Sequence, residues 1–386
     1  MTKRTKVIHV IACLETGGME NGIVNLCNGH NRDMFDVSIC CLKSNGSMAP
    51  RLKNDVEITS LNLPEGKGMS GCLKVLSFFR KKAPQVVHTH GFAGGSLYGI
   101  LGARLAGVPV VVNGEHGAFY LKAHQVFIQR ILERFCTLNL SVSESLKEKV
   151  VANLKISPER IRVILNGVDT RLFSGSHDVT PLKEELEKTH NLRINDNDFI
   201  IGCVGSLKPA KNQRMLIDAV KTIYTKKHGK NEKRCIALFL GNGPDLGFLK
   251  QYSVEAGLRD VVAFLGERQD VPRWLSLMDV LTSTSISLHE GLSNVILEAM
   301  SSGLPVISTK SVGSQEIISQ GENGFLVEQN DARQLGERLA LLMDDSSLLK
   351  EMGSNARDFI CREFSLERMI SNYEKTYAEL IGARGC

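Results

Sequence analysis

Two glutamates eight residues apart carry the densest chemistry in the chain: Glu290-Gly291-Leu292-Ser293-Asn294-Val295-Ile296-Leu297-Glu298-Ala299-Met300, followed by Ser301-Ser302-Gly303-Leu304-Pro305-Val306-Ile307. Glu290 sits in a loop with Gly291 and Ser293; Glu298 sits inside an apolar run of helical character that leads into a strand. If Ser293 or Asn294 caps that helix, its first N–H groups are left for an anion while the carboxylates reach ligand hydroxyls on either side. A wholly helical spacing would separate the two glutamates by roughly 12 Å. That is too far for an acid/base couple at one bond, and it suits a grip on two ends of an elongated ligand. Taken alone, the pair reads equally as two solvated residues flanking a buried helix.

Other residue types stand where chemistry is expected. Gly17-Gly18, within Thr16-Gly17-Gly18-Met19-Glu20-Asn21, marks the turn from a first strand into a first helix, where backbone N–H groups and a helix dipole can meet a charged or polyhydroxyl ligand. Its spacing is not Gly-x-Gly-x-x-Gly, which disfavours a nicotinamide dinucleotide. Glu115-His116-Gly117 follows a strand, and His116 can donate to or accept from a substrate hydroxyl near neutral pH. His88-Thr89-His90 alternates along one strand with no third ligand nearby, which marks a strand end rather than a metal site. In Gly205-Ser206-Leu207-Lys208-Pro209-Ala210-Lys211-Asn212, lysines beside a glycine turn and a helix start offer a diphosphate fixed charge and backbone donors. Gly241-Asn242-Gly243-Pro244 and Gly266-Glu267-Arg268 are further close-approach turns. Asp196-Asn197-Asp198 has a metal-binding form but falls in a polar linker, where a plain loop is expected.

The elements that position these residues alternate. Apolar runs of strand length at 7–14, 37–42, 58–61, 86–90, 108–113, 138–143 and 161–164 are separated by helical patterns, and runs apolar on both faces belong to parallel sheets covered by helices. A polar, charged stretch over 171–198 breaks the series, which then resumes with strands at 199–204, 235–240, 261–265, 279–283 and 304–308. The fold class is α/β, with two doubly wound parallel-sheet domains. They are expected over 1–168 and 169–365, with a linker of about 169–197 and a final amphipathic helix within 366–386 that can cross back to the first domain. Ligands of such sheets sit outside the carboxyl ends of strands, so two facing domains imply a cleft.

Composition narrows the function. The net charge of +5 is scattered over 386 residues, which gives no nucleic-acid footprint. No apolar run reaches membrane-span length and no signal-type cleavage site follows the basic start, so a cytoplasmic location is expected. The ten cysteines include no Cys-x-x-Cys and lie mostly in apolar segments, as small buried hydrophobes of a reducing compartment do. Lys74, Arg80, Lys81 and Lys82, with Phe127, Ile128, Ile131 and Leu132 beside Arg130 and Arg134, offer peripheral contact with an anionic membrane at its inner face. An amphipathic helix packed on the sheet explains the same residues.

In this order, the Thr16 to Asn21 turn, Glu115-His116-Gly117, Ile164-Leu165-Asn166-Gly167-Val168-Asp169, Gly205 to Asn212, Leu240-Gly241-Asn242-Gly243-Pro244 and the Glu-x7-Glu stretch resemble glycosyltransferase family 4, the retaining nucleotide-sugar transferases of GT-B fold. The start of the chain is similar to transferases of bacterial exopolysaccharide assembly. The resemblance implies two Rossmann-like domains and a set of roles. Glu290 would bind donor-sugar hydroxyls and Glu298 the ribose. The backbone around Leu292, Ser293 and Asn294 would approach phosphates and sugar. Lys211 would neutralise the leaving diphosphate, and His116 would contact the sugar near the reacting centre. Gly17 and Gly18 would lie against donor phosphate and acceptor, Gly205 and Gly243 beside the nucleotide, and Arg268 near the base. Where the family has Gly-Arg, this chain has Gly205-Ser206, which removes one expected cation; Lys208 is the candidate substitute.

The expected activity is therefore metal-independent, cofactor-free transfer of a hexose from a nucleoside diphosphate sugar to a glycan or lipid-linked acceptor, with retention. A nucleotide-sugar epimerase of the same fold and a binding-only homologue are the alternatives.

Overall fold

The computed structural model describes residues 4–63, 68–91, 95–116, 123–175, 177–226, 233–286, 292–311 and 313–384. The chain divides into two units: Met1–Gly167 with Leu366–Cys386, and Val168–Ser365.

The first unit contains β1 (Thr5–Ile11), α1 (Gly18–Gly29), β2 (Phe35–Cys41), β3 (Glu57–Ser60), α2 (Gly68–Lys82), β4 (Val86–His90), α3 (Leu97–Leu105), β5 (Val110–Glu115), α4 (Ala123–Leu132), β6 (Leu138–Ser141), α5 (Glu144–Leu154) and β7 (Ile161–Val163). The strands form one sheet in the order β3-β2-β1-β4-β5-β6-β7, and every pairing is parallel. The cause lies in the side chains. Val7, Ile11, Val86, Val110 and Val112 line one apolar face while Ile8, Val10, Val87 and Val111 line the other, so helices must cover both.

The second unit contains α6 (Thr180–His190), β8 (Phe199–Val204), α7 (Arg214–Lys226), β9 (Cys235–Leu240), α8 (Leu246–Glu255), β10 (Val262–Phe264), α9 (Val271–Leu275), β11 (Val280–Ser283), α10 (Asn294–Ser301), β12 (Val306–Thr309), α11 (Ser314–Ile317), β13 (Gly324–Val327), α12 (Ala332–Asp344) and α13 (Ser346–Glu363). Its parallel sheet runs β10-β9-β8-β11-β12-β13. The strand order reverses between β1 and β4 in one sheet and between β8 and β11 in the other, and such switch points are where doubly wound sheets hold ligands.

Three departures from the sequence expectations have physical reasons. Helix α6 occupies the polar stretch expected as linker: Pro181 opens it, Leu182 and Leu186 bury one turn apart, and Asn191 closes it in the left-handed conformation. Strand β13 goes unmarked by any long apolar run, since four residues paired to β12 suffice. Strand β5 extends to Glu115, two residues beyond its apolar part, because internal partners satisfy Asn113 and Glu115.

The last helix, α14 (Leu366–Gly382), belongs to the first unit. Met369, Ile370, Tyr373 and Tyr377 enter the same apolar cluster as Ile23, Val24 and Cys27 of α1. Gly29 admits Ile370, whose Cδ1 lies 2.1 Å from where a Cβ would stand. Glu374 accepts from the Asn31 N–H at 2.6 Å, and Arg162 donates to Thr376 and Glu379.

Candidate active site

In the second unit the loops leaving β8, β9 and β10 are laced into one rim. The Gly205 N–H donates to the Leu240 carbonyl (2.9 Å), the Leu207 N–H to the Asn242 carbonyl (2.9 Å), and the Gly241 N–H to the Gly266 carbonyl (2.7 Å). The backbones approach so closely that a Cβ at Gly241 would stand 2.0 Å from the Gly205 oxygen, and one at Gly243 would stand 2.2 Å from the Leu207 oxygen. Only glycine fits there. On the other side of the switch point, the Ile286 N–H donates to the Ala210 carbonyl at 2.9 Å. The turn Pro209–Lys211 is thus held between the ends of β8 and β11.

Lys211 is half-buried. Desolvation, then the charge of Lys208, push its ammonium down to about 8, with the Cys203 thiol opposing. Lys208 and Ser206 are exposed. Gln213 Nε2 donates to the Ser206 carbonyl at 2.9 Å, so the backbone at this position is fixed whatever side chain it carries.

Helix α10 starts where the sequence places it. Ser293 holds the N-cap position, but its side chain makes no capping hydrogen bond. Ile296, Leu297, Ala299 and Met300 are buried, Leu292 is buried just before the helix, and Glu298 is half-buried four residues after Asn294 on the same face. Glu290, Gly291 and Gly117 lie outside the described residues. Arg268 has its charge matched, pairing with Glu185 of α6 at 2.7 Å and Asp270 at 3.0 Å above the Trp274 ring. Asp196 and Asp198 pair with Lys183 and Arg234.

In the first unit Gly17 occupies the N-cap of α1 with extended backbone, Gly18 begins the helix, and Glu20 lies in its first turn. His116 follows β5 directly, and desolvation lowers it to about 4. Its Nε2 lies 2.9 Å from His90 Nδ1, and His90 Nε2 lies 2.9 Å from His9 Nδ1. The expectation that His88 and His90 lack a third partner is thereby corrected. Strand β1 pairs with β4 and brings His9 opposite His88, so the three imidazoles present nitrogens within 4.8 Å of one another. All three are fully buried and held well below the usual histidine range, first by burial and then by neighbouring imidazoles.

The opposite face of the sheet holds a second polar group that sequence reasoning missed. Asn113 Nδ2 and Gln129 Nε2 each donate to Glu115 Oε1 and Glu133 Oε1. Burial raises both carboxyls, Glu133 to about 7, and Glu133 further raises Glu115.

Residues 16–172 match the family model described as Glycosyltransferase Family 4, and residues 184–359 match that of Glycosyl transferases group 1. The UDP-Gal:alpha-D-GlcNAc-diphosphoundecaprenol alpha-1,3-galactosyltransferase of Escherichia coli is 30% identical over 362 residues, 90% of each chain. The chain belongs to glycosyltransferase family 4. The capsular polysaccharide biosynthesis glycosyltransferase CapM of Staphylococcus aureus is 24% identical to this transferase over 402 residues, 97% of each chain. Among solved structures, HepE of Anabaena in complex with UDP covers 98% of this chain and 100% of its own, with TM-score 0.81 and 21% identity. A glycosyltransferase of Rickettsia africae gives TM-score 0.83 at 18% identity, over 98% and 99% of the two chains. These likenesses give the transferase the GT-B fold, two Rossmann-like parallel-sheet units.

Proposed function

We propose that this transferase moves a hexose from a nucleoside diphosphate sugar to a hydroxyl of a glycan or lipid-linked acceptor in polysaccharide or glycoconjugate assembly, without a metal and with retention. The observation that carries the reading is the glycine-laced rim that holds Lys211 at the switch point of the second sheet. As the sugar departs, charge builds on the diphosphate, and preorganised backbone donors together with a half-buried ammonium stabilise it. Glu298, on the first turns of α10, takes the ribose hydroxyls; Glu290 takes those of the sugar; Leu292, Ser293 and Asn294 approach the groups between. Gly205 and Gly243 let the nucleotide lie against backbone, and Lys208 supplies outer charge. The Gly266 to Arg268 loop lies by the base, where Arg268 acts as a brace through its two carboxylate partners. Gly17, Gly18 and His116 serve the reacting end of the donor and the acceptor. The reading draws support from the E. coli relative, whose name pairs UDP-Gal with a diphosphoundecaprenol-linked acceptor, and from HepE, solved with UDP-glucose.

The test is an assay of donor consumption and product anomer, with chelator present and with acceptor added or withheld. Retained configuration, chelator resistance and dependence on acceptor are expected, with turnover abolished in Glu290→Ala. Inversion or loss in chelator overturns the mechanism. Turnover without acceptor establishes an epimerase or hydrolase, and nucleotide binding without turnover a binding-only homologue, the outcome that Ser206 would favour.

Peripheral membrane contact has its own observation. Phe127, Ile128 and Ile131 of α4 and Phe135 just beyond it are exposed along one stripe, Phe127 at 62%, with Arg134 exposed beside them. An apolar stripe with a basic edge fits the headgroup boundary of an anionic bilayer. Among the described residues no helix is long and apolar enough to cross a membrane. Wild type should co-sediment with anionic liposomes at low salt, and Phe127→Ser with Ile131→Ser should not; no co-sedimentation of wild type removes the idea.

A further inference from the structure

We propose that His90, backed by His9, is a positioning residue that holds His116 in one neutral tautomer with its proton on Nδ1, so that His116 meets substrate as a hydrogen-bond donor and not as a base. The proposal rests on the reading above for what His116 touches, but not for which nitrogen carries its proton.

Residues 9, 88, 90 and 114 share the sheet face of Val7, Ile11, Val86 and Val112, where the core otherwise takes aliphatic side chains. Burying polar rings there costs free energy unless they are partnered. The partnering is directional. His9 Nδ1 meets His90 Nε2 and His90 Nδ1 meets His116 Nε2, each at 2.9 Å. Position 114 is glycine, and a Cβ there would fall 2.8 Å from His88 Nε2, 3.1 Å from His116 Nε2 and 3.3 Å from His90 Nδ1. The missing side chain is the space through which His116 reaches His90.

A neutral imidazole carries one proton, so this three-ring column has two polarities. In one, His9 and His90 donate from Nδ1 to the Nε2 of the next ring, and His116 also carries its proton on Nδ1. In the other, every proton sits on Nε2, and His9 buries an N–H. Among the described residues His9 Nε2 is buried without a hydrogen-bond partner. An orphaned buried N–H is the rarer defect, and an orphaned lone pair is more readily tolerated. The first polarity is therefore the one adopted. His88 stands beside the column and uses its Nδ1 on the Tyr377 hydroxyl at 2.7 Å. Nothing on the column has to change when a ligand arrives, so the donor at His116 Nδ1 is preorganised.

The experiment uses the full chain labelled with 15N-histidine, with imidazole nitrogen resonances recorded near neutral pH and His116 assigned by its loss in His116→Gln. Wild type is expected to show His116 protonated at Nδ1 and bare at Nε2. In His90→Phe, which removes the donor to His116 Nε2, the Nδ1–H state should give way to the Nε2–H state or to averaging. In His90→Asn, whose amide takes the place of Nδ1, it should return. Turnover should fall roughly tenfold in His90→Phe, through kcat more than donor KM, and recover in part in His90→Asn, one hydrogen bond being at stake. Should His90→Phe not fold, His9→Leu against His9→Asn asks the same question from the far end. An Nε2–H or averaged His116 in wild type, an unchanged tautomer in His90→Phe and His9→Leu, or a stoichiometric metal ion on the purified protein overturns the proposal. If His116→Gln transfers sugar normally, the functional reading of His116 fails while the nitrogen shifts still decide the tautomer.

Discussion

Thr284 Oγ1 donates to the Lys211 carbonyl at 2.8 Å, which ties the end of β11 to the turn that carries the candidate cation. With the Ile286 N–H on the Ala210 carbonyl, this fixes Lys211 from the strand opposite its own. The backbone of the lysine is therefore held from both strands.

Activity and stability should move in opposite directions above pH 8. Lys211 has a folded-state value of about 8 against an ordinary one of 10.5, so it loses its charge as pH rises through 8 while the unfolded chain stays protonated. Over that window the unfolded state binds more protons, and stability contributed at this site increases with pH. With Lys211 in its proposed place on the diphosphate, transfer should decline from pH 7 to 9. Lys211→Met should remove both trends, with kcat lowered about 100-fold and unfolding temperature at pH 7 equal or higher. A kcat profile unchanged in the variant excludes Lys211 from the diphosphate.

Ser206→Arg should restore the missing cation. The side chain at 206 is exposed, and the backbone is anchored by Gln213 independently of it. A charge-assisted contact of about 1.5–3 kcal/mol lowers the donor KM by roughly tenfold or more, and the gain should shrink as salt rises. Steady-state kinetics at two ionic strengths check this; equal KM at low salt places the diphosphate elsewhere.

For Glu298→Gln we expect weaker nucleotide binding, with hydrogen-bond geometry kept and charge lost. Titration with nucleoside diphosphate should show Kd raised about 10-fold, and more in Glu298→Ala. Retained affinity in both variants assigns the ribose to another residue.

Glu133→Gln should stabilise the first unit at pH 8. Glu133 titrates at about 7 in the fold against an ordinary value near 4.5, so its contribution is complete below 4.5 and is lost as pH rises through 7. Glutamine keeps the acceptor for Gln129 and Asn113 without the charge. Thermal unfolding from pH 5 to 8 should fall less steeply in the variant, and parallel curves would show that the pair is not the cause.

The sequence makes local things legible. Apolar runs mark most strands, and the glycine turns and Lys211 fall at strand ends where the structure has them. What it hides depends on strand pairing. His9 and His88 are 79 positions apart and meet only because β4 inserts beside β1, which no local pattern announces. Glu115 and Glu133 likewise meet through β5 and α4, and an apolar count ends β5 before Glu115 is reached. Helix α6 is hidden by composition, because two leucines per turn-pair suffice to seat a helix whose other residues face water.

The return of α14 to the first unit sets an order of events at the ribosome. Residues 168–365 form a contiguous unit that can fold as soon as it emerges, whereas the first unit, though translated earlier, waits for 366–386. Until then Ile23, Cys27 and the rings of His30 and His88 lack the cover of Ile370, Tyr373 and Tyr377. The usual N-terminal-first sequence of domain folding is inverted, and a chain stalled before residue 366 presents chaperones with a finished second unit attached to an open first one.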